Sequence, residues 1–159
     1  HFKKIDALKY LKKNKEKFDL ILIKQAIHFL RFEEIKKLIF ICKTKLNNNG
    51  KILIFTLDTL NNEIPYFALM KKKLKKSLDR DKKIIRLICR LNPGVKSKKF
   101  SFKVNITRKI YIKMIKNRYI STLLDLSLSE IFKGIDEIKR KYKKKISFND
   151  KLICLILDK

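Results

Sequence analysis

His28 is the side chain in this sequence best suited to move a proton, because an ordinary imidazole titrates near neutrality and can act as a general base. It lies in Phe18-Asp-Leu-Ile-Leu-Ile-Lys-Gln-Ala-Ile-His28-Phe-Leu, directly after an apolar run. A histidine that simply packs and hydrogen-bonds is therefore the competing reading. Metal chemistry has no ligand set to draw on. The two histidines and the cysteines Cys42, Cys89 and Cys154 show neither a C-x-x-C pair nor zinc spacing. Each cysteine sits in an apolar stretch and reads as a small buried hydrophobe in a reducing compartment. Only Gly50, Gly94 and Gly134 are present, so no G-x-G turn exists to let backbone close on a cofactor.

Holding His28 in place calls for a strand–helix–strand unit. Leu20 to Ile23 is apolar without alternation, as in a strand buried on both faces of a parallel sheet. Phe32 to Leu46 then has Ile35, Leu38, Ile39, Cys42 and Leu46 on one helical stripe, with Glu33, Glu34, Lys36, Lys37 and Lys43 facing away. Asn47 to Gly50 ends that helix, with Gly50 free to take positive φ, and Lys51 to Leu57 starts a second strand. In open α/β sheets ligands bind beyond the carboxyl ends of strands. That rule selects Lys24 to His28 and Thr56 to Thr59, together with Asp6 and Ala7 upstream. Asp6 also suits the N-cap of a short helix, Ala7 to Lys13.

Further along, Pro65 fits the first turn of a helix Tyr66 to Leu78 with Phe67, Met70 and Leu74 on one side. A second helix, Arg80 to Leu91, carries Ile84, Leu87, Ile88 and Leu91 and stops at Asn92-Pro93-Gly94. Phe100 to Thr107 alternates like a strand with one wet face, and Thr107 can cap a helix holding Ile110, Met114 and Ile115. Ser127-Leu-Ser-Glu130 matches a capping box ahead of Ile131, Ile135, Ile138 and Tyr142. Ile146 to Leu157 is a strand region, either a hairpin at Asn149-Asp150 or one long strand.

Phe18-Asp-Leu-Ile, the small-residue loop with His28, the helix, the Asn-Gly turn and the strand after it resemble the second half of a class I S-adenosylmethionine-dependent methyltransferase. Asp6-Ala7 resembles the acidic motif that touches the cofactor's adenine, and Tyr111 to Leu123 and Phe148 to Leu157 resemble late elements of the small-molecule type. The resemblance implies an α/β, Rossmann-like sheet, mostly parallel, with an antiparallel strand near the C-terminus and the first strands missing. Residues 1–159 are then a partial methyltransferase domain with a helical lid at about 62–95. S-adenosylmethionine is the implied cofactor, held by Asp6, Ala7, Lys24, Gln25 and Ala26, with Lys24 acting through its backbone because a cation beside a sulfonium is unfavourable. His28 is the implied catalytic base, and Tyr66, Arg118 and Tyr119 are the implied contacts to a small-molecule substrate. Arg118 suits a carboxylate or phosphate held through two parallel hydrogen bonds, or an ion pair on a helix surface. The Gly-rich turn and the ribose-binding acid of the family are absent and the chain begins at His1, so it reads as a carboxy-terminal fragment that binds cofactor poorly by itself.

The net charge of +27 raises nonspecific polyanion binding, and a basic nucleic-acid-binding or RNA-modifying protein is the alternative function. Against it, Lys greatly outnumbers Arg and is spread over every segment, and the clusters Lys71 to Lys76, Lys96 to Lys99 and Lys139 to Lys145 read as solvated faces. A catalytically inactive scaffold of the same fold is a further alternative. Hydrophobic content of 45% in 159 residues supports one globular domain. No apolar run approaches a membrane span and no signal peptide opens the chain, which makes the cytoplasm the expected location.

Overall fold

Leu20 to Ile23 and Ile52 to Phe55 are neighbouring parallel strands, and the helix between them makes the crossover. The structure, a computed structural model, describes residues 4–159. In chain order its elements are α1 (Ala7–Lys13), β1 (Phe18–Lys24), α2 (Phe32–Thr44), β2 (Leu46–Leu57), α3 (Ala68–Leu91), β3 (Lys96–Thr107), α4 (Arg108–Lys116), α5 (Leu128–Lys141) and β4 (Lys145–Asp158). The four strands form an open mixed sheet in the order β1-β2-β4-β3. Contacts divide the chain into a first unit, His1–Leu57, Asp81–Phe100 and Leu152–Lys159, and a second, Asp58–Arg80 and Ser101–Lys151.

In the first unit, β1 runs parallel to β2, and the end of β4 runs antiparallel to β2 from Lys51↔Asp158 to Leu57↔Leu152. The register aligns Ile21, Ile52 and Leu157 in one row and Ile23, Ile54 and Leu155 in the next. That face meets Ile35, Leu38, Ile39 and Cys42 of α2 and Ile84 and Ile88 of α3 in one core. Ile52 and Ile54 are fully buried, worth about 1.5–3 kcal/mol each. The α2 N-terminus is fixed by the Glu34 carboxylate, which accepts the Arg31 backbone N–H at 2.8 Å.

In the second unit, Tyr111, Ile115, Leu123, Leu126, Ile131, Ile135 and Ile138 are buried with Phe67, Met70 and Leu74. Both late helices start where side-chain chemistry starts them. The Thr107 hydroxyl accepts the Ile110 N–H at 3.2 Å. Ser127 and Glu130 form a full capping box, the Glu130 carboxylate accepting the Ser127 N–H at 2.7 Å.

Several local expectations are corrected. The two helices expected over Tyr66 to Leu91 are one continuous α3, since Asp79-Arg80-Asp81 contains neither Gly nor Pro to interrupt it. Pro65 lies three residues ahead of that helix and not in its first turn. The turn at Asn47 to Gly50 belongs to β2, which begins at Leu46, and its left-handed residue is Asn49 at φ 66°. Gly50 is required for a different reason: a Cβ there would stand 3.0 Å from the Phe18 carbonyl oxygen and 3.1 Å from that of Asn47. On α4 the buried stripe is Tyr111 and Ile115, while Ile110 is exposed. Of the two readings of the C-terminal region, the structure has the single strand that the resemblance favoured.

Candidate functional site

At the carboxyl end of β1 the chain makes a sharp turn through Lys24, Gln25 and Ala26. Gln25 has φ 53°, the left-handed region, and its N–H donates to the Phe55 carbonyl at 2.9 Å, which ties the loop to the strand beside it. Ala26 then opens a short 3-10 turn, Ile27–Phe29. Ile27 is buried and anchors the turn in the core, whereas His28 is half-buried with its ring 4.3 Å from that of Phe29. Next to this loop is α1, capped by the Asp6 carboxylate, which accepts the Lys9 N–H at 2.9 Å. The N-cap reading of Asp6 therefore holds. The group remains solvent-exposed, with its second oxygen available for another donor.

Ala7, Lys24 and Ala26 line one groove of about 660 Å³ that follows the free edge of β1. Its other walls are apolar and include Phe18, Leu20, Leu22, Leu30 and Leu38. S-adenosylmethionine carries an amino acid, a sulfonium and a nucleoside. The described residues do not by themselves fit that group. The charged side chain on the groove wall is the cation Lys24, and no carboxylate lines it to receive the ribose hydroxyls. What the described residues offer is one end of such a site: a small exposed Ala26, a tightly turned backbone and the Asp6 carboxylate nearby in sequence.

The three expected substrate contacts, Tyr66, Arg118 and Tyr119, belong to the second unit. Arg118 is at φ 52°, and its Nη1 donates to the carbonyls of Leu123 at 2.5 Å and Leu124 at 2.7 Å, so part of its guanidinium closes the turn after α4. The Tyr119 hydroxyl lies 2.9 Å from that of Tyr111, whose own hydroxyl donates to the buried Pro65 carbonyl. Burial pushes the Tyr119 hydroxyl up to about 12, and burial pushes Tyr111 higher still. Tyr66 lies beneath two ammonium groups, Lys141 at 4.9 Å and Lys71 at 5.3 Å from the ring centre. Among the described residues no group of three His, Cys, Asp or Glu could hold a metal ion, and no helix is long and apolar enough to cross a membrane.

Sequence reasoning passed over two polar features. Asp81 is buried in the first unit, 3.4 Å from the hydroxyl of buried Thr56, which pairs with Ile153 near the end of β2. Its signal was present, because Asp81 shares the stripe of Ile84 and Ile88. Tyr111 gave no such signal, since nothing local marks one aromatic in Lys109-Ile-Tyr-Ile as buried.

No protein-family model and no curated protein matches the chain. Solved structures do. A protein assigned as a methyltransferase of an antibiotic biosynthesis pathway in Anabaena variabilis superposes with TM-score 0.57 at 16% identity, over 91% of this chain and 70% of that one. A precorrin 8W decarboxylase from Methanobacterium thermoautotrophicum aligns with TM-score 0.43 at 12% identity, over 96% of this chain and 51% of that one. This chain thus spans about half the length of the decarboxylase. The mixed sheet and the first of these likenesses lead to one statement about architecture: the described residues adopt a class I methyltransferase-like fold.

Proposed function

We propose that this chain is the carboxy-terminal part of an enzyme that transfers a methyl group from S-adenosylmethionine to an oxygen, nitrogen or carbon of a small molecule in the cytoplasm. The observation that carries this reading is the parallel β1–β2 pair with the Lys24 to His28 loop at the carboxyl end of β1, beside a groove that reaches Ala7 and Ala26. In this reading the free edge of β1 pairs with a strand from residues ahead of His1. Those residues supply the Gly-rich turn and the ribose-binding acid. Asp6 and Ala7 border the adenine, and the backbone of Lys24, Gln25 and Ala26 borders the methionyl end. His28 takes the proton from the acceptor. Much of the rate of such a reaction comes from alignment of acceptor and donor, so a fixed triad is not needed.

The test is calorimetric titration of S-adenosylhomocysteine into the polypeptide made with the residues that precede His1 in its reading frame. Saturable binding that Ala26→Phe abolishes, with the melting temperature unchanged, is the expected result. Absence of binding to the unmutated polypeptide overturns the assignment.

A second reading has one specific observation behind it. Arg108, Lys109, Lys139, Lys143 and Lys144 surround a hollow of about 350 Å³ in the second unit, with Thr107 and Ile112. Such a hollow suits phosphate groups of a polyanion. A steep fall in RNA affinity with rising salt, together with no methyl transfer, favours this reading over the first.

A further inference from the structure

The last turn of α5 borders two hollows of the second unit. Arg108, Lys109, Lys139, Lys143 and Lys144 surround one of about 350 Å³, and Tyr66, Glu137, Arg140 and Lys141 line another of about 440 Å³. Arg108 fixes the shape of the first. Its Nη1 donates to the carbonyls of Lys139 at 3.0 Å and Tyr142 at 2.8 Å, and its backbone N–H donates to that of Lys144 at 2.9 Å. The chain leaving α5 is thereby held against the start of α4. Lys139 is paired with Asp136 at 2.9 Å, whereas Lys109, Lys143 and Lys144 are exposed and make no ion pair among the described residues. In the second hollow the Glu137 carboxylate already accepts the Ala68 N–H at 2.8 Å. The Lys141 ammonium lies 4.9 Å from the centre of the Tyr66 ring and 5.5 Å from that of Tyr142.

We infer that the two hollows bind one single strand of nucleic acid, with its phosphates in the first and a base stacked on Tyr66 in the second. The inference rests on the polyanion reading of the first hollow and names its partner. Three uncompensated ammonium groups meet there with no carboxylate on the wall, which is the chemistry that recognises phosphate. The second hollow adds what a bare basic patch lacks, an aromatic ring. Lys141 and Lys71, the latter at 5.3 Å, rest on that ring. An exposed ammonium holds a ring more weakly than a stacked base does, so a base can replace them while they turn to the neighbouring phosphates. Shape decides between strand and duplex. Lys139 faces one hollow and Arg140 and Lys141 the other, so a ligand that reaches both must bend around the end of a helix. A flexible strand can do so, and a stiff duplex cannot. A flat bilayer presents its phosphates in one plane and does not enter both hollows. Joined on one strand, the two contacts reinforce each other.

Fluorescence anisotropy of a labelled oligouridylate, about 12 nucleotides long, with the 159-residue chain tests this. Lys109→Ala combined with Lys143→Ala and Lys144→Ala should weaken binding at least about tenfold and flatten its salt dependence. A matched triple on α1, Lys9→Ala with Lys12→Ala and Lys13→Ala, removes the same charge and should weaken it less than about threefold. Tyr66→Leu should cost about five- to a hundredfold in affinity, and Tyr66→Phe, which keeps the ring, should stay close to the parent. The lysines are exposed, so the two triples decide the matter even where Tyr66→Leu unfolds. All variants share the β1 edge, and association between chains affects each alike. Equal losses in the two triples, or a duplex of the same length bound as tightly as the strand, overturn this inference and leave the polyanion reading in place. A larger loss of binding to phosphatidylserine vesicles than to the oligonucleotide in the first triple makes the surface a membrane contact and also overturns it. No binding of the oligonucleotide at low salt overturns both.

Discussion

Gly134 of α5 lies so close to Phe67 that a Cβ added to it would stand 2.5 Å from the ring's Cδ2. Phe67 is itself buried. Gly134→Ala should therefore overpack this core at a cost of about 1–3 kcal/mol. Better helix propensity returns only about 1 kcal/mol. A net loss in the urea midpoint is expected, and a gain would show that the Phe67 ring yields to the added methyl group.

Four exposed carboxylates should set the acid limb of the stability curve. Hydrogen bonds from the Lys151 side chain and from Asn149 hold Glu63 below the ordinary carboxylate range, and the Ser127 backbone N–H does the same for Glu130. The Arg31 backbone N–H lowers Glu34, and the Lys51 ammonium lowers Asp158. A carboxyl whose folded pKa is depressed contributes fully above its unfolded value, near 4.5 for Glu and 3.8 for Asp, and loses that contribution as pH falls through the lower folded value. Denaturant midpoints should hold steady down to about pH 5 and then drop, with Glu130→Gln showing a shallower drop than the parent chain. An unchanged acid profile in Glu130→Gln would remove the capping box from the account.

These caps show how far local chemistry can be read from the chain. Ser127-x-x-Glu130 and Thr107 are contiguous signals, and the helix starts they predict are where α5 and α4 begin. The apolar run Leu20 to Ile23 likewise marked a strand that pairs in parallel with β2, but the burial on both faces expected of it is corrected among the described residues, where Leu20 and Leu22 are more than half exposed. What failed depended on partners far along the chain. Gly50 is constrained by the Phe18 carbonyl, and whether Ile110 or Tyr111 faces inward depends on Pro65 and Phe148. The candidate site was legible as a loop at a strand end, yet the groove beside it was not, since it arises from the unpaired edge of β1. The guanidinium of Arg118, read as a substrate anchor, carries a local burden invisible in sequence: two carbonyls five and six residues on.

The buried tyrosine pair should govern the alkaline limb. Burial raises both hydroxyls, Tyr119 to about 12 and Tyr111 further. A phenol whose folded pKa is raised contributes fully below its unfolded value near 10 and loses that contribution as pH rises toward the folded value. Stability should fall progressively above pH 10, read by denaturant titration with phenolate absorbance followed in parallel. Tyr111→Phe should also cost about 1–3 kcal/mol at neutral pH, because the Pro65 carbonyl loses its donor in a buried setting. Wild-type stability in that variant would show that solvent reaches the carbonyl.

The free edge of β1 leads to the last prediction. Leu20 and Leu22 are both more than half exposed on a strand with one unpaired side, a combination that invites pairing between chains. The charge of +27 opposes association, but its reach shrinks to about 8 Å at 0.15 M ionic strength. Sedimentation velocity of the 159-residue chain should therefore show oligomers that grow as salt is raised from low to moderate concentration. Leu20→Lys with Leu22→Lys removes the apolar contact without touching the covered face, and it should return the chain to monomer with an unchanged melting temperature. A parent chain that stays monomeric at every salt concentration would mean that the β1 edge is not an adhesive surface, and the case for a strand ahead of His1 pairing there would weaken with it.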